Sequence, residues 1–159
     1  MSQVIEADIG QFLAERGLTL ALAESCTGGL LSHRITMVPG SSAYFLGGVV
    51  SYANSAKQNV LGVDAEVLEA QGAVSEAVAE QMASGVRARF GADIGISVTG
   101  IAGPDGGSPG KPVGLVFMGF ANTCGEVNVR RYKFEGDRLE IKNQTCQAAL
   151  EWLQAYLEE

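Results

Sequence analysis

Leu18-Thr19-Leu20-Ala21-Leu22-Ala23-Glu24-Ser25-Cys26-Thr27-Gly28-Gly29-Leu30-Leu31 decides the fold. Leu18 to Ala23 is a short apolar run without polar alternation, which predicts a strand buried on both faces. Glu24 to Gly29 is polar and glycine-rich and predicts a turn. Leu30, Leu31, Arg34 and Ile35 then predict a helix that ends before Pro39-Gly40. A buried strand, a turn and a helix in that order open an α/β unit.

The flanking sequence extends this unit. Val4, Ile5, Ile9, Phe12 and Leu13 recur at helical spacing, and Gly17 closes that helix. Ala43 to Tyr52 is rich in aromatic and β-branched residues and predicts a second strand. Short helices are expected over Ala53–Leu61 and Asp64–Ala70, and Ser75 is a candidate N-cap for a long helix from Glu76 to Phe90. Ala92 to Thr99 predicts a third strand, and Gly100 to Lys111 a Gly/Pro-rich loop. Val113–Ala121 and Val127–Phe134 predict an antiparallel hairpin, and Asp137–Leu157 a closing helix. The order α-β-α-β-α-α-α-β-β-β-α predicts an α/β three-layer α/β/α sandwich with a mixed, mostly parallel β-sheet. No repeat or linker divides the chain, so residues 1–159 are expected to form a single domain.

Composition narrows the function. The chain is 47% hydrophobic and 18% charged, ordinary values for a globular protein. Net charge is −7 with scattered Lys and Arg, which argues against a nucleic-acid surface. Cys26, Cys124 and Cys146 are odd in number and widely spaced, so no disulfide framework is expected. With His33 as the only histidine, no structural zinc site is expected either. No apolar stretch reaches the roughly 20 residues that span a bilayer. Met1-Ser2-Gln3-Val4-Ile5-Glu6 does not read as a leader. The expected setting is cytoplasmic, with no membrane partner.

Ligand sites in open α/β sheets form beyond the carboxyl ends of strands. Two segments qualify: Ser25-Cys26-Thr27-Gly28-Gly29, and Thr99-Gly100-Ile101-Ala102-Gly103-Pro104 with Gly106-Gly107. In the first, Ser25 is either a helix cap or a nucleophile, near N–H groups that hold an anion or oxyanion. A nucleophilic serine needs a base within hydrogen-bond reach. His33 lies two turns into the following helix. Lys57 lies just past the second strand, with Tyr52 nearby to orient it or pass a proton, and must be neutral to act. The second loop can present N–H groups to a phosphate or be a plain connection.

Five ordered motifs resemble the CinA C-terminal domain family. They are Glu24-Ser25-Cys26-Thr27-Gly28-Gly29, Ser51-Tyr52-Ala53-Asn54-Ser55-Ala56-Lys57, Gly72-Ala73-Val74-Ser75, Val98 to Pro104 with Gly106-Gly107, and Phe134-Glu135-Gly136-Asp137-Arg138. The family includes stand-alone nicotinamide mononucleotide amidohydrolases. The resemblance implies hydrolysis of nicotinamide mononucleotide to nicotinic acid mononucleotide and ammonia. It implies Ser25 as nucleophile and Lys57 as base, with Tyr52, Thr99 and Arg138 in the site and no metal or cofactor. Thr27, Gly28 and Gly29 and the stretch Gly100, Ile101, Ala102 and Gly103 are the expected substrate-binding backbone. Arg138 and the Gly100–Gly103 loop compete for the substrate phosphate. Larger members carry an N-terminal domain resembling molybdopterin-binding proteins; that domain, and the pyrophosphatase activity tied to it, are expected to be absent here. The alternatives are a Ser/Lys amidohydrolase of another small amide and a non-catalytic regulatory module linked to competence or DNA damage. The expected partner is a small nucleotide, and a homodimer is the default oligomer.

Overall fold

In β1 (Leu20–Glu24) all five residues are buried. Its leucines and alanines alternate between two cores: Leu20 and Leu22 join one, Ala21 and Ala23 the other. The strand therefore sits mid-sheet with helices on both faces. The computed structural model describes residues 4–159; Met1, Ser2 and Gln3, part of the stretch read against a leader, lie outside them.

The elements follow the predicted order: α1 (Val4–Arg16), β1, α2 (Leu30–Thr36), β2 (Phe45–Val50), α3 (Asn54–Leu61), α4 (Ala65–Gln71), α5 (Glu76–Phe90), β3 (Ile94–Gly100), β4 (Leu115–Ala121), β5 (Val127–Lys133) and α6 (Arg138–Leu157). A short 3-10 turn over Ser41–Ala43 precedes β2. The second strand is thus shorter than the expected Ala43–Tyr52, and β1 runs on through Glu24.

The sheet order is β2-β1-β3-β4-β5. β1 pairs parallel with β2 and β3, and β4 pairs antiparallel with β3 and β5. Four strands share one direction and β4 alone opposes them. Helices α1, α2 and α6 cover one face through Ile9, Leu13, Leu31, Ile35, Cys146 and Leu150. Helices α3, α4 and α5 cover the other through Leu61, Leu68, Val78, Met82 and Val86. This is the three-layer α/β/α sandwich.

The α5 layer approaches closely because the sheet offers it small residues. A β-carbon on Gly119 would lie 2.4 Å from the Ala79 carbonyl oxygen. Ser97, fully buried, donates to the same carbonyl at 2.6 Å and accepts from the Gly119 N–H at 3.1 Å. No described helix is long and apolar enough to cross a membrane.

Candidate active site

Strand register assembles the site. Glu24 aligns with Val50 on β2 and with Val98 on β3, so β1 and β2 end level and β3 runs two residues further. The chain leaves β1 toward α2 on one face and β2 toward α3–α5 on the other, a topological switch point at the carboxyl ends. Ser25 therefore sits between Ser51 and Thr99. Its N–H donates to the Val98 carbonyl at 3.0 Å, and the Ser51 N–H donates to the Glu24 carbonyl at 2.8 Å.

Lys57 enters this crevice from the start of α3. Its side chain is completely buried. Nζ lies 3.1 Å from Ser25 Oγ, 2.6 Å from the Ser51 carbonyl and 3.4 Å from the Tyr52 carbonyl. No carboxylate pairs with it among the described residues. Burial lowers its pKa below the ordinary lysine value. A neutral amine has two N–H donors and one lone pair. In that neutral form the two carbonyls would take the donors and leave the lone pair for the Ser25 hydroxyl. Neighbouring Cys26 adds no charge, because burial pushes its thiol up to about 12.

Two alternatives left open by local sequence are excluded here. Ser25 is not a helix cap: α2 has Gly29 at its N-cap and no side-chain cap bond of the ordinary kind. His33 is exposed on α2 and borders a different cavity, with Glu6 and Arg34.

Glu24, which the sequence reading treated only as part of a turn, caps α2 from the strand end. It is completely buried. Oε1 accepts from Thr27 Oγ1 at 2.6 Å, Gly29 N at 3.1 Å and Leu31 N at 3.0 Å. Oε2 accepts from Ser32 N at 2.8 Å and Ser32 Oγ at 2.6 Å. The first-turn amides of α2, expected to face an oxyanion, are thus taken by the protein's own carboxylate. Thr27 is committed to Glu24, and Thr27, Gly28 and Gly29 do not line the cavity.

That cavity measures about 240 Å³ and is walled by Ser25, Lys57, Thr99, the Gly100–Gly103 segment, Tyr52 and Arg138. Cys26, Asp105, Gly106 and, from the α4–α5 connection, Ala73 and Val74 complete it. Thr99 is buried and donates its hydroxyl to the Ala73 carbonyl at 2.9 Å, not to Lys57. Tyr52 meets Lys57 through its carbonyl; the residue is 62% exposed, and its hydroxyl accepts from Arg138 at 3.1 Å. Arg138 also donates to the Gly103 carbonyl at 2.7 Å. A capping box, Asp137 with Glu140, starts α6 so that Arg138 is its first helical residue. The side chain spans the cavity mouth.

The loop is less open than its glycines suggest. Gly100 still belongs to β3, and the Ile101 N–H donates to the Leu115 carbonyl at 3.0 Å. Only from Ala102 onward does the backbone leave the sheet.

Comparison with known proteins gives the family and the fold. Residues 2–157 match the family model described as CinA C-terminal domain. A CinA-like protein of Salinibacter ruber is 55% identical over 147 residues, 92% of this chain and 35% of its own length. The chain spans about 36% of the length of the curated relatives it matches. The solved competence damage-inducible protein A of Klebsiella pneumoniae superposes with a TM-score of 0.95 at 38% identity, covering 99% of this chain and 98% of that one. The competence/damage inducible protein CihA of Agrobacterium tumefaciens does so with 0.95 at 41% identity, covering 99% and 95%.

Proposed function

We propose, from the premise that this chain belongs to the CinA C-terminal domain family, that it is an amidohydrolase acting on the carboxamide of nicotinamide mononucleotide. One observation carries the reading: a fully buried lysine with no counter-ion, its amine 3.1 Å from a serine at a strand end. A merely structural lysine would be expected to pair with a carboxylate or reach solvent.

In this mechanism Lys57 Nζ takes the Ser25 proton as Oγ attacks the carboxamide carbon. The tetrahedral intermediate collapses. The carbon–nitrogen bond breaks and the amide nitrogen takes the proton back from Lys57, leaving as ammonia. Water then adds to the acyl carbon and gives its proton to Lys57, which returns it to Ser25 as the acid departs. The oxyanion donors are main-chain groups of Cys26 and the Ala102–Gly103 segment, because Glu24 occupies the α2 amides. The Ser51 and Tyr52 carbonyls aim Lys57. The Thr99 hydroxyl oxygen keeps lone pairs for the substrate amide. Arg138 holds the cavity mouth and offers a planar donor set to a phosphate.

The test is release of ammonia from nicotinamide mononucleotide by the wild type, Ser25→Ala and Lys57→Ala. The reading expects turnover by the wild type and loss in both variants. No ammonia from the wild type removes this substrate. Equal turnover by Ser25→Ala removes the nucleophile.

A further inference from the structure

We propose that Lys142 joins Arg138 to form an anion subsite on the rim of the cavity, which takes the phosphate monoester of the substrate. The proposal rests on the mononucleotide reading above and adds to it a specificity residue that none of the sequence motifs contains.

The subsite lies on the first two turns of α6. Arg138 and Lys142 are four residues apart and share one helix face. Arg138 reaches Tyr52 and Gly103 at the mouth. The Lys142 ammonium lies over the turn that follows Ser25, 3.6 Å from where a β-carbon on Gly28 would sit. Gly28 is exposed and has no side chain, which leaves that side of the turn open beside the Lys142 ammonium.

Lys142 also lacks any internal reason for its charge. It is half-buried, yet no carboxylate or carbonyl accepts from it among the described residues. Lys133 pairs with Glu135, Arg34 with Glu6, and Arg87 and Arg89 with main-chain carbonyls. Two like charges one turn apart repel, and cations near a helix N-terminus oppose the helix dipole. An external anion between them would reverse both effects.

Two other places suit the phosphate poorly. The α2 amides hold Glu24. The Ile101 N–H is spent on Leu115, and Asp105 brings negative charge to the loop side of the cavity. At about 240 Å³ the cavity is smaller than the roughly 300–1,000 Å³ of pockets that enclose a whole small molecule. An amide-bearing ring fills it, and the rest of a mononucleotide has to cross the rim.

The experiment is calorimetric binding of ribose 5-phosphate to the wild type, Lys142→Gln, Lys142→Arg and Arg16→Gln, with turnover of nicotinamide mononucleotide measured in parallel. Arg16 ends α1 at the opposite end of the sheet and controls for net charge. A hydrogen-bonded charge pair is worth roughly a tenfold to hundredfold change in affinity. Lys142→Gln is therefore expected to weaken ribose 5-phosphate by at least roughly tenfold and to raise KM for the nucleotide far more than it lowers kcat. Lys142→Arg is expected to restore binding, and Arg16→Gln to match the wild type. Equal affinity in the wild type and Lys142→Gln overturns the subsite, as does no binding of ribose 5-phosphate by a wild type that still hydrolyses the nucleotide. Lys142-dependent binding without any amide turnover keeps the subsite and refutes the amidohydrolase reading instead.

Discussion

Replacing Glu24 by glutamine leaves the shape of the side chain and removes one acceptor atom. The carboxylate accepts three main-chain N–H groups and two hydroxyls. The amide oxygen of glutamine can keep the three donors at the Oε1 position. Its NH₂ group then meets the Ser32 N–H donor to donor, while the Ser32 hydroxyl can rotate and accept. One N–H is left without an acceptor, at about 1–3 kcal/mol, and the surviving bonds lose their charge assistance. Glu24→Gln is expected to cost about 2–4 kcal/mol in total. Glu24→Ala leaves three N–H groups bare at about 3–9 kcal/mol, much of the about 5–15 kcal/mol that stabilises a domain. The assay is urea unfolding followed by fluorescence of Trp152, the only tryptophan, with an unchanged m-value as the sign that only stability moved. A loss below about 0.5 kcal/mol for Glu24→Gln, the level of a neutral surface change, would refute the view that this carboxylate holds the turn.

Activity should rise with pH through a lysine pKa lowered by burial and level off below the ordinary lysine value of 10.5; a flat profile counts against Lys57 as base. Lys57→Met is expected to lower kcat by roughly 10²–10⁴-fold or more. The same variant carries a stability signature. Between the lowered folded pKa and the ordinary value, the unfolded chain binds more protons, so wild-type stability rises with pH across that window. The wild type should therefore gain on Lys57→Met as pH rises, and a pH-independent difference in urea midpoints would show that Lys57 is not perturbed. Gly119→Ala would push a β-carbon to within 2.4 Å of the Ala79 carbonyl oxygen. It should destabilise by about 1–3 kcal/mol or more, with a lower thermal midpoint as the measurement.

Element type and order were legible because each rests on local signals. The apolar run of β1 and the Ser75 cap of α5 are readable within a few residues, whereas Asp137 read as the first residue of α6 and is its cap. Boundaries slipped where tertiary contacts decide them. Tyr44 and Ser51-Tyr52 look like strand residues, but β2 stops at Val50, where Ser51 turns its carbonyl toward Lys57. Glu24 looks like a turn residue but belongs to β1, because its carboxylate finds donors inside the fold and needs no solvent.

The site was legible in its residue types and not in its contacts. Ser25 and Lys57 are 32 positions apart. Their approach depends on the level ends of β1 and β2, a register that no local pattern encodes. Lys142 left no motif at all, since a lone lysine on a long helix reads as a solvated charge. Glu24 is the instructive case. A glutamate that ends an otherwise wholly apolar strand cannot be buried alone, because a buried charge needs hydrogen-bond donors. The nearest supply is the start of the following helix, whose first N–H groups have no partner of their own. Thr27, three residues on, adds a hydroxyl donor to the same carboxylate. The glutamate therefore occupies the helix start, and the α2 amides are not free for a substrate. In the proposed reaction the substrate's negative charge then falls to α6, where Arg138 and Lys142 stand.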